Sequence, residues 1–267
     1  MKLEFYRPKN DTLKKYIEGY YFISPGGSAA PFHYWTFPNN FFIVSVSLNI
    51  EIEMEQNRFT IKQSKKENTI ANFVARYKAP IEVIYKDSIH ELTVYFKPLG
   101  ISHFVNNTIA LLQQDAAYFD PYTDFKAVMN KILQLNDREL QVETLERYWL
   151  SKLEIKDVAL LTKIITGIES DLRIDEIART NNITRQHLNN LFKKNTGKSP
   201  AEYRKIHRFR TTLMKKKNTK NLTDLTYSSL FYDQSHMIKD FKELTKVTPH
   251  SFFKKVDTAK ENVWLFI

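Results

Sequence analysis

Cysteine is absent from the 267-residue chain, which excludes disulfides, thiolate metal sites and cysteine catalysis. No apolar run approaches the ~18 residues that a membrane-spanning helix needs. The amino-terminal stretch MKLEFYRPKND carries charge but has no apolar core of a secretion signal. From these absences we expect a protein of the reducing cytoplasm that makes no membrane contact.

Motifs for catalysis and metal binding are also scarce. The seven histidines are scattered without an HxH or HExxH pair, and no Gly-x-Ser-x-Gly sequence occurs. TGKSP contains the Gly-Lys-Ser end of a phosphate-binding loop, but Phe192 occupies the position of the first glycine that such a loop requires. We therefore expect no enzymatic activity, no cofactor and no metal.

The composition favours packed domains and a polyanionic partner. With 42% hydrophobic and 13% aromatic residues, the chain can form cores rather than remain disordered. Of its 40 basic and 30 acidic residues, 19 and 18 lie in residues 1–156, which leaves 21 and 12 for residues 157–267. Nearly all of the net charge of +10 thus lies in the second part, where nucleic acid is the first candidate partner.

The first half alternates apolar and polar residues as strands do. In FIVSVSLNIEIEM, residues 42–54, every second residue is apolar, which predicts a strand with one buried face. Similar runs, several of them separated by proline, glycine or asparagine, are YYFIS, HYWTF, RFTIK, NFVAR, IEVIY and HELTVYF. Short strands at this spacing predict an antiparallel sheet that is curled or closed into a barrel.

Two helical stretches, Thr123–Leu135 and Arg138–Leu153, follow these strands. They could pack on the sheet of their own chain, which is the simpler arrangement, or on the same helices of a second copy. After LEIKDV the pattern becomes wholly helical. We therefore predict two domains: an α+β, mostly antiparallel β domain over residues 1–154 and an all-α domain over residues 157–256, followed by a tail over 257–267.

The all-α part contains a helix-turn-helix pattern. IDEIART predicts a short helix, and Asn181-Asn182 after it suits the left-handed backbone of a tight turn. Thr184 can cap a second helix, RQHLNNLFKKNT, which Gly197 ends as a left-handed C-cap. A Ser-Pro pair then opens a long basic helix. Two short helices joined by a tight turn are typical of DNA-binding proteins.

The same element recurs in FYDQSHMIKDF, residues 231–241. Phe231 aligns with Ile183, but the spacing from there to the matched histidines is one residue longer in the second unit, so one residue is inserted at the turn. The sequence therefore predicts two helix-turn-helix units joined by one long helix. The matched pairs after the turn include His187 with His236, Leu188 with Met237, and Phe192 with Phe241.

Two such units linked by one helix, the second written DQSHMIKDFKELTKVTP, resemble the DNA-binding domain of the AraC/XylS family of bacterial transcription regulators. The resemblance covers residues 158–256. RPKNDTLKKYIEGYYF, FHYWTFPNN and LTVYFKPLGISHF resemble recurrent segments of an amino-terminal domain found in some members. The resemblance implies a sequence-specific DNA-binding regulator.

Two residues of the second unit depart from the family pattern. Leu230 stands where the family usually has glycine, so the turn must adopt a strained backbone or shift. Asp240 stands where the family favours a small residue, and an acid there weakens DNA binding if it points at phosphates. Both departures bear on base reading by the second unit more than on its fold.

A recognition helix presents the solvent-facing side chains of its amino-terminal half to base edges in the major groove. Glutamine and asparagine suit adenine there, and arginine suits guanine. Lysines nearby can contact phosphates, which position the protein without specifying a sequence. The predicted base-reading residues are Arg185, Gln186, Asn189 and Asn190 in the first unit and Gln234, Ser235, His236 and Lys239 in the second. The predicted phosphate contacts are Thr184, Lys193, Lys194, Lys198 and Lys242.

The first half offers a set of residues for a candidate ligand pocket, although buried packing explains the same residues more simply. They are His33, Trp35, Arg76, Tyr77 and His90.

We expect a transcription regulator of the bacterial cytoplasm and nucleoid, whose first half senses a small-molecule effector or pairs two chains. Double-stranded DNA is the expected partner, RNA polymerase is a further one, and the chain acts as a monomer or as a homodimer through its first half. Two alternatives stay open: an enzyme or metal-binding barrel fused to a DNA-binding half, and a sensor-free DNA-binding interaction protein.

Overall fold

The computed structural model describes residues 1–26, 32–114, 116–216, 224–226 and 229–256. An antiparallel β-rich region precedes a helical one, as the sequence predicts. The predicted tail, residues 257–267, lies outside the described residues. The strands are β1 Lys2–Tyr6, β2 Ile17–Ser24, β3 Phe32–Thr36, β4 Phe42–Leu48, β5 Ile50–Glu55, β6 Arg58–Gln63, β7 Thr69–Val74, β8 Ile81–Tyr85, β9 His90–Phe96 and β10 Ala116–Tyr118.

The described strands form two sheets rather than one closed barrel. The larger sheet has the order β1-β2-β9-β4-β7-β10, and the smaller has the order β3-β8-β6-β5. Neighbouring strands run antiparallel apart from β6 and β8, which are parallel. Residues 42–54, predicted as one strand, are broken at Asn49, whose φ of 53° places it in the left-handed region. The break carries the chain from one sheet to the other.

Strand β4 is buried on both faces, so the prediction of a single buried face is wrong. Val44 and Val46 join a core between the larger sheet and the helices, whereas Ile43 joins a second core between the two sheets. Ser47, expected on an exposed face, is 4% exposed, and its hydroxyl donates to the Glu91 carboxylate at 3.0 Å. Because the strand is central in a layered structure, its polar residues need partners inside the protein.

Helices α2, Phe125–Gln134, and α3, Arg138–Ser151, cover the outer face of the larger sheet. The α3 residues Val142, Leu145 and Trp149 are buried in the core that the sheet supplies. The Trp149 ring lies 5.0 Å from that of Phe96 on β9 in an edge-to-face arrangement. Of the two arrangements left open by the sequence, packing on the chain's own sheet is therefore the observed one.

The helical region follows α3 directly. Its long helix α7, Pro200–Lys216, carries an apolar stripe that contributes to two cores, because Tyr203 packs in the core of the first helix-turn-helix unit and Phe209 in that of the second. Other helices of the described residues are the short α1 Thr108–Leu112 in the β-rich region, and α4 Ala159–Glu169, α5 Ile174–Thr180, α6 Arg185–Thr196, α8 Gln234–Thr245 and α9 Pro249–Lys255.

The β-rich region contributes one side chain to each of these two cores. Leu99 packs among the apolar residues of the first unit. Phe37 packs in the second, with its ring 5.0 Å from that of Phe252 in an edge-to-face arrangement. The two halves of the chain therefore share apolar cores rather than meeting only at polar surfaces.

Polar contacts fix α7 against the same part of the β-rich region. Arg210 donates to the carbonyl oxygens of Phe37 at 2.7 Å and Pro38 at 3.1 Å. Arg76 forms a two-pronged ion pair with Glu202, at 2.6 and 2.7 Å. Bidentate guanidinium contacts of this kind are among the stronger and more directional polar interactions in proteins.

We predict that Arg210→Met lowers the free energy of unfolding by about 1.5–3 kcal/mol, because it removes charge-assisted hydrogen bonds to two main-chain carbonyls. Denaturant unfolding of the full chain measures the change. The control is Arg147→Met, since the Arg147 side chain is 71% exposed and its pair with Glu143 lies on the surface of α3. Equal effects of the two substitutions would contradict the structural role of Arg210.

Candidate nucleic-acid interface

The turns of the two units have the same backbone hydrogen bonds at equivalent positions. The amide of Ile183 donates to the Ala178 carbonyl at 3.0 Å, and the amide of Phe231 donates to that of Thr226 at 3.3 Å. At equivalent positions just before these amides, Asn182 at φ 55° and Leu230 at φ 64° lie in the left-handed region. The predicted repeat is confirmed at the level of the backbone.

The recognition helices α6 and α8 begin with equivalent caps. The cap of α6 follows Ile183 directly, whereas the cap of α8 is two residues after the equivalent Phe231. The Thr184 hydroxyl accepts from the His187 amide at 3.1 Å, and the Asp233 carboxylate accepts from the His236 amide at 2.7 Å. The inserted residue is therefore Tyr232, between Phe231 and the cap. Tyr232 is 87% exposed, so a solvent-exposed aromatic side chain lies beside the start of α8.

The helices also end alike. Thr196 and Thr245 each donate a hydroxyl hydrogen bond back to a phenylalanine carbonyl one turn earlier, at 2.8 and 2.7 Å. Gly197, at φ 70°, ends α6, and Lys246, at φ 63°, ends α8. Both units thus present a 12-residue helix with the same start, end and buried face.

On α6 the predicted reading residues lie on the surface. Arg185, Gln186 and Asn190 are exposed, whereas Asn189 is partly covered because its Nδ2 donates back to the Arg185 carbonyl at 2.9 Å. Arg185 Nη1 is 3.5 Å from an Asp175 carboxylate oxygen, an exposed contact that costs little to break. The first unit offers a polar face whose side chains can turn towards bases.

On α8 the exposed face differs from the predicted one. Gln234, Ser235 and Lys239 are exposed as expected, and Ile238 lies among them with 38% of its surface accessible. The sequence pattern does not predict Ile238 on this face, because apolar residues of an amphipathic helix usually face its core. The alignment of the two units, which pairs Ile238 with Asn189, was the available signal.

His236 is less exposed than the other three predicted base readers of α8, because its ring contacts neighbouring residues. Its Nε2 lies 3.4 Å from Arg208 Nη1 and 3.5 Å from an Asp240 carboxylate oxygen. Its ring also meets that of Phe231 edge to face at 5.5 Å. These contacts turn the imidazole towards α7 and the turn, away from the surface that Gln234 and Lys239 share.

Asp240 is buried, which answers the question raised by its sequence position. Only 4% of the residue is exposed, and the side chain faces α7 near Lys205 and Arg208. Burial raises the pKa of its carboxyl above the ordinary value, while the proximity of His236 opposes that change. The acid therefore does not point at DNA phosphates in this structure.

Arg208 connects the two units through polar contacts. Its Nη2 donates to an Asp171 carboxylate oxygen at 2.8 Å, just after α4, while its Nη1 reaches His236 on α8. One helical turn away on α7, Lys205 pairs with Glu243 of α8 at 2.5 Å. The mutual orientation of the two recognition helices is thus set by α7 side chains as well as by the apolar cores.

Three of the predicted phosphate contacts, Lys193, Lys194 and Lys242, are exposed, and so is Thr184, although its hydroxyl oxygen serves as the α6 cap. Lys198 is not available, and its assignment is corrected. It is 1% exposed, and its Nζ donates to the Ala75 carbonyl at 2.5 Å. The junction between α6 and α7 is covered by the β-rich region, which the local sequence does not reveal.

The five residues proposed for a ligand pocket do not converge. Arg76 and Tyr77 belong to the contact with α7, where the Tyr77 hydroxyl donates to the Phe37 carbonyl at 2.6 Å. His33 is exposed on β3, and His90 borders a separate depression near the end of α2. Burial lowers the pKa of the His90 imidazole below its ordinary value.

Trp35 instead borders an open cleft of about 890 Å³ between the β-rich region and the second unit. The turn between β5 and β6 forms one wall, with the β8 residue Glu82 beside it. The end of α8 and the α9 residues Phe252 and Lys255 form the other. The cleft therefore brings aromatic, acidic and basic side chains of both halves of the chain to one place.

Within the part of the chain that the structure describes, no helix is long and apolar enough to span a membrane. The same residues contain no group of three histidine or acidic side chains arranged to hold a metal ion.

Comparison with known proteins identifies the helical segment. Residues 177–255 match the model of a helix-turn-helix domain family. A search of curated proteins gave no match.

The chain is also similar to solved structures of ToxT from Vibrio cholerae. One at 1.65 Å resolution has 13% identity and a TM-score of 0.47, and the match covers 95% of this chain and 98% of that one. ToxT with a bound unsaturated fatty acid has 16% identity and a TM-score of 0.45, covering 87% and 92%. At these values the likeness carries no argument about ligand or mechanism.

Leu230 adopts the strained backbone rather than shifting the turn. We predict that Leu230→Asn is more stable than Leu230→Val by about 1 kcal/mol, because asparagine tolerates the left-handed region and a β-branched residue does not. Thermal unfolding of the two full-length variants measures the difference. Leu140 on α3, at 42% exposure, is the control position, since valine and asparagine have similar propensities in a right-handed helix. Equal stabilities at position 230 would contradict the strain.

Proposed function

We propose that this chain, a DNA-binding transcription regulator with an AraC/XylS-type helix-turn-helix domain at residues 177–255, reads two successive major-groove segments with α6 and α8. In this proposal residues 1–154 form a sensor or pairing domain and residues 157–256 the DNA-binding domain. The observation that carries the proposal is the duplicated recognition helix, capped alike in both units, with an exposed polar face in each.

The charge distribution supports DNA as the partner of the second half. Exposed lysines extend the outward faces of both recognition helices, Lys193 and Lys194 on α6 and Lys242 on α8. Cations at these positions suit phosphates on either side of a groove, because phosphate contacts supply most of the sequence-independent affinity. Burial of Asp240 keeps its carboxylate off this surface.

A rigid connection between the units supports binding to one face of the duplex. The α7 stripe enters both cores, and Arg208 joins Asp171 to His236. Two recognition helices held in a fixed relation fit major-groove segments about one helical turn, or 34 Å, apart. Because the two faces carry different residues, a single chain would read an asymmetric site.

Control by the β-rich region is the second part of the proposal. Leu99 and Phe37 enter the cores of the two units, so a change in the β-rich region alters the packing of both. The open cleft beside Trp35 suits a small-molecule effector, since a ligand there would contact the β5–β6 turn and the end of α8 together. Pairing of two chains and contact with RNA polymerase also belong to this proposal and rest on the family resemblance.

We predict that selection from random duplexes by the full chain enriches a motif of two blocks whose centres are 10–10.5 base pairs apart, about one helical turn. Inserting about five base pairs between the blocks should abolish high-affinity binding, because it rotates one block to the opposite face of the DNA. Gel-shift titration at low salt measures both effects. Failure to enrich any motif, or indifference to the insertion, would overturn two-segment reading.

We also predict that Gln186→Ala and Lys239→Ala each weaken binding by about 1–3 kcal/mol if the side chain reads a base bidentately. Each variant should relax sequence preference in one block only, because α6 and α8 read different blocks. Suitable controls are Gln134→Ala and Lys66→Ala, which change the same residue types at exposed positions of the β-rich region. Unchanged affinity and unchanged preference in both test variants would contradict the assignment.

A further inference from the structure

Ile238 is an apolar residue on an otherwise polar reading face. Its helix neighbours on that face are Gln234, one turn before it, and Lys239 and Lys242 after it. The core of the second unit contains the α8 residues Met237, Phe241 and Leu244. Ile238 lies beside this apolar stripe but is not among its buried residues, since 38% of its surface is accessible.

The base edges in the major groove present one apolar feature, the C5-methyl group of thymine. An isoleucine side chain neither donates nor accepts hydrogen bonds, so it would desolvate any polar base edge that it covered without replacing the lost bonds. Against a methyl group the same side chain gains burial of apolar surface on both partners. The chemistry of Ile238 therefore fits a thymine better than any other base.

The equivalent position of the first unit has a different chemistry. Asn189 occupies it, with its Nδ2 bonded back to the Arg185 carbonyl at 2.9 Å. The two recognition helices have equivalent caps and equivalent ends. We therefore expect the difference between Asn189 and Ile238 to change the base that is contacted and not the position of the helix in the groove. Only the second unit carries an apolar side chain here.

We propose that Ile238 is a specificity-determining residue that contacts the C5-methyl group of a thymine in the DNA block read by α8. The inference rests on the proposed function, since it requires α8 to enter a major groove. The inference goes beyond the proposed function because it assigns one base, and one chemical group of that base, to the Ile238 side chain. Gln234, on the same face one turn earlier, suits an adenine in the same block.

The test replaces each thymine of the selected second block, one at a time, with deoxyuridine, which lacks only the methyl group. For the unmodified full chain, one of these replacements should weaken binding about four-fold, because it removes the burial of one methyl-sized apolar group. Ile238→Ala should weaken binding to the thymine site to a similar extent and should be insensitive to deoxyuridine at that position. Ile238→Asn, which copies the first unit, should lose the thymine preference when the selection is repeated.

The control variant is Met54→Ala, which removes an exposed apolar side chain from β5, 67% accessible, and should leave the deoxyuridine effect intact. Deoxyuridine in the first block should not interact with Ile238→Ala. A full deoxyuridine effect in Ile238→Ala, or no sensitive thymine in the second block, overturns the role of Ile238 while leaving two-segment reading in place. If no motif is enriched at all, the proposed function fails and the inference fails with it.

Discussion

The position of helix α7 is the constraint on which the rest of the molecule depends. Its apolar stripe fills the cores of both helix-turn-helix units, and its polar side chains reach the β-rich region through Arg210 and Glu202. The Phe37 carbonyl accepts from both Arg210 and Tyr77, so one loop of the β-rich region is bonded to α7 while its phenyl ring packs in the second core. A displacement of that loop cannot leave the second unit unchanged, because close-packed cores respond to small changes of volume.

Local signals in the sequence predicted the elements that depend on local physics. The caps at Thr184 and Gly197, the left-handed residue Asn182 in the turn and the repeat of the recognition helix are confirmed, since each is determined by residues a few positions apart. The burial of Lys198 and Asp240 and the inward turn of His236 could not be predicted in the same way. They are set by what the β-rich region and α7 cover, and a helix pattern carries no information about that.

Strand β4 illustrates the same limit in the first half. Alternation of serine with apolar residues predicted one exposed face, but helices α2 and α3 cover one side of the sheet and the smaller sheet covers the other. The buried Ser47 is stabilised by a bond to Glu91, whose carboxyl also accepts from two tyrosine hydroxyls. Burial raises the pKa of that carboxyl. Buried polar side chains from several strands thus form hydrogen bonds with one another. The sequence around each residue does not reveal these partners, because they lie far apart in the chain.

The two units have similar backbone geometry but different side chains on their exposed faces. This difference favours binding to a DNA site whose two blocks have different sequences. The first helix presents amides and a guanidinium, while the second presents an amide, a hydroxyl, an ammonium and an isoleucine, with an exposed tyrosine before its cap. A symmetric duplex site would satisfy only one of these faces, so half of the specific contacts would be lost. If α6 and α8 read two DNA blocks as proposed, the order of the blocks also sets the direction in which the β-rich region faces along the DNA, because α7 keeps the two units in a fixed order. In the proposed mode of binding, a single chain would therefore distinguish the two orientations of its site.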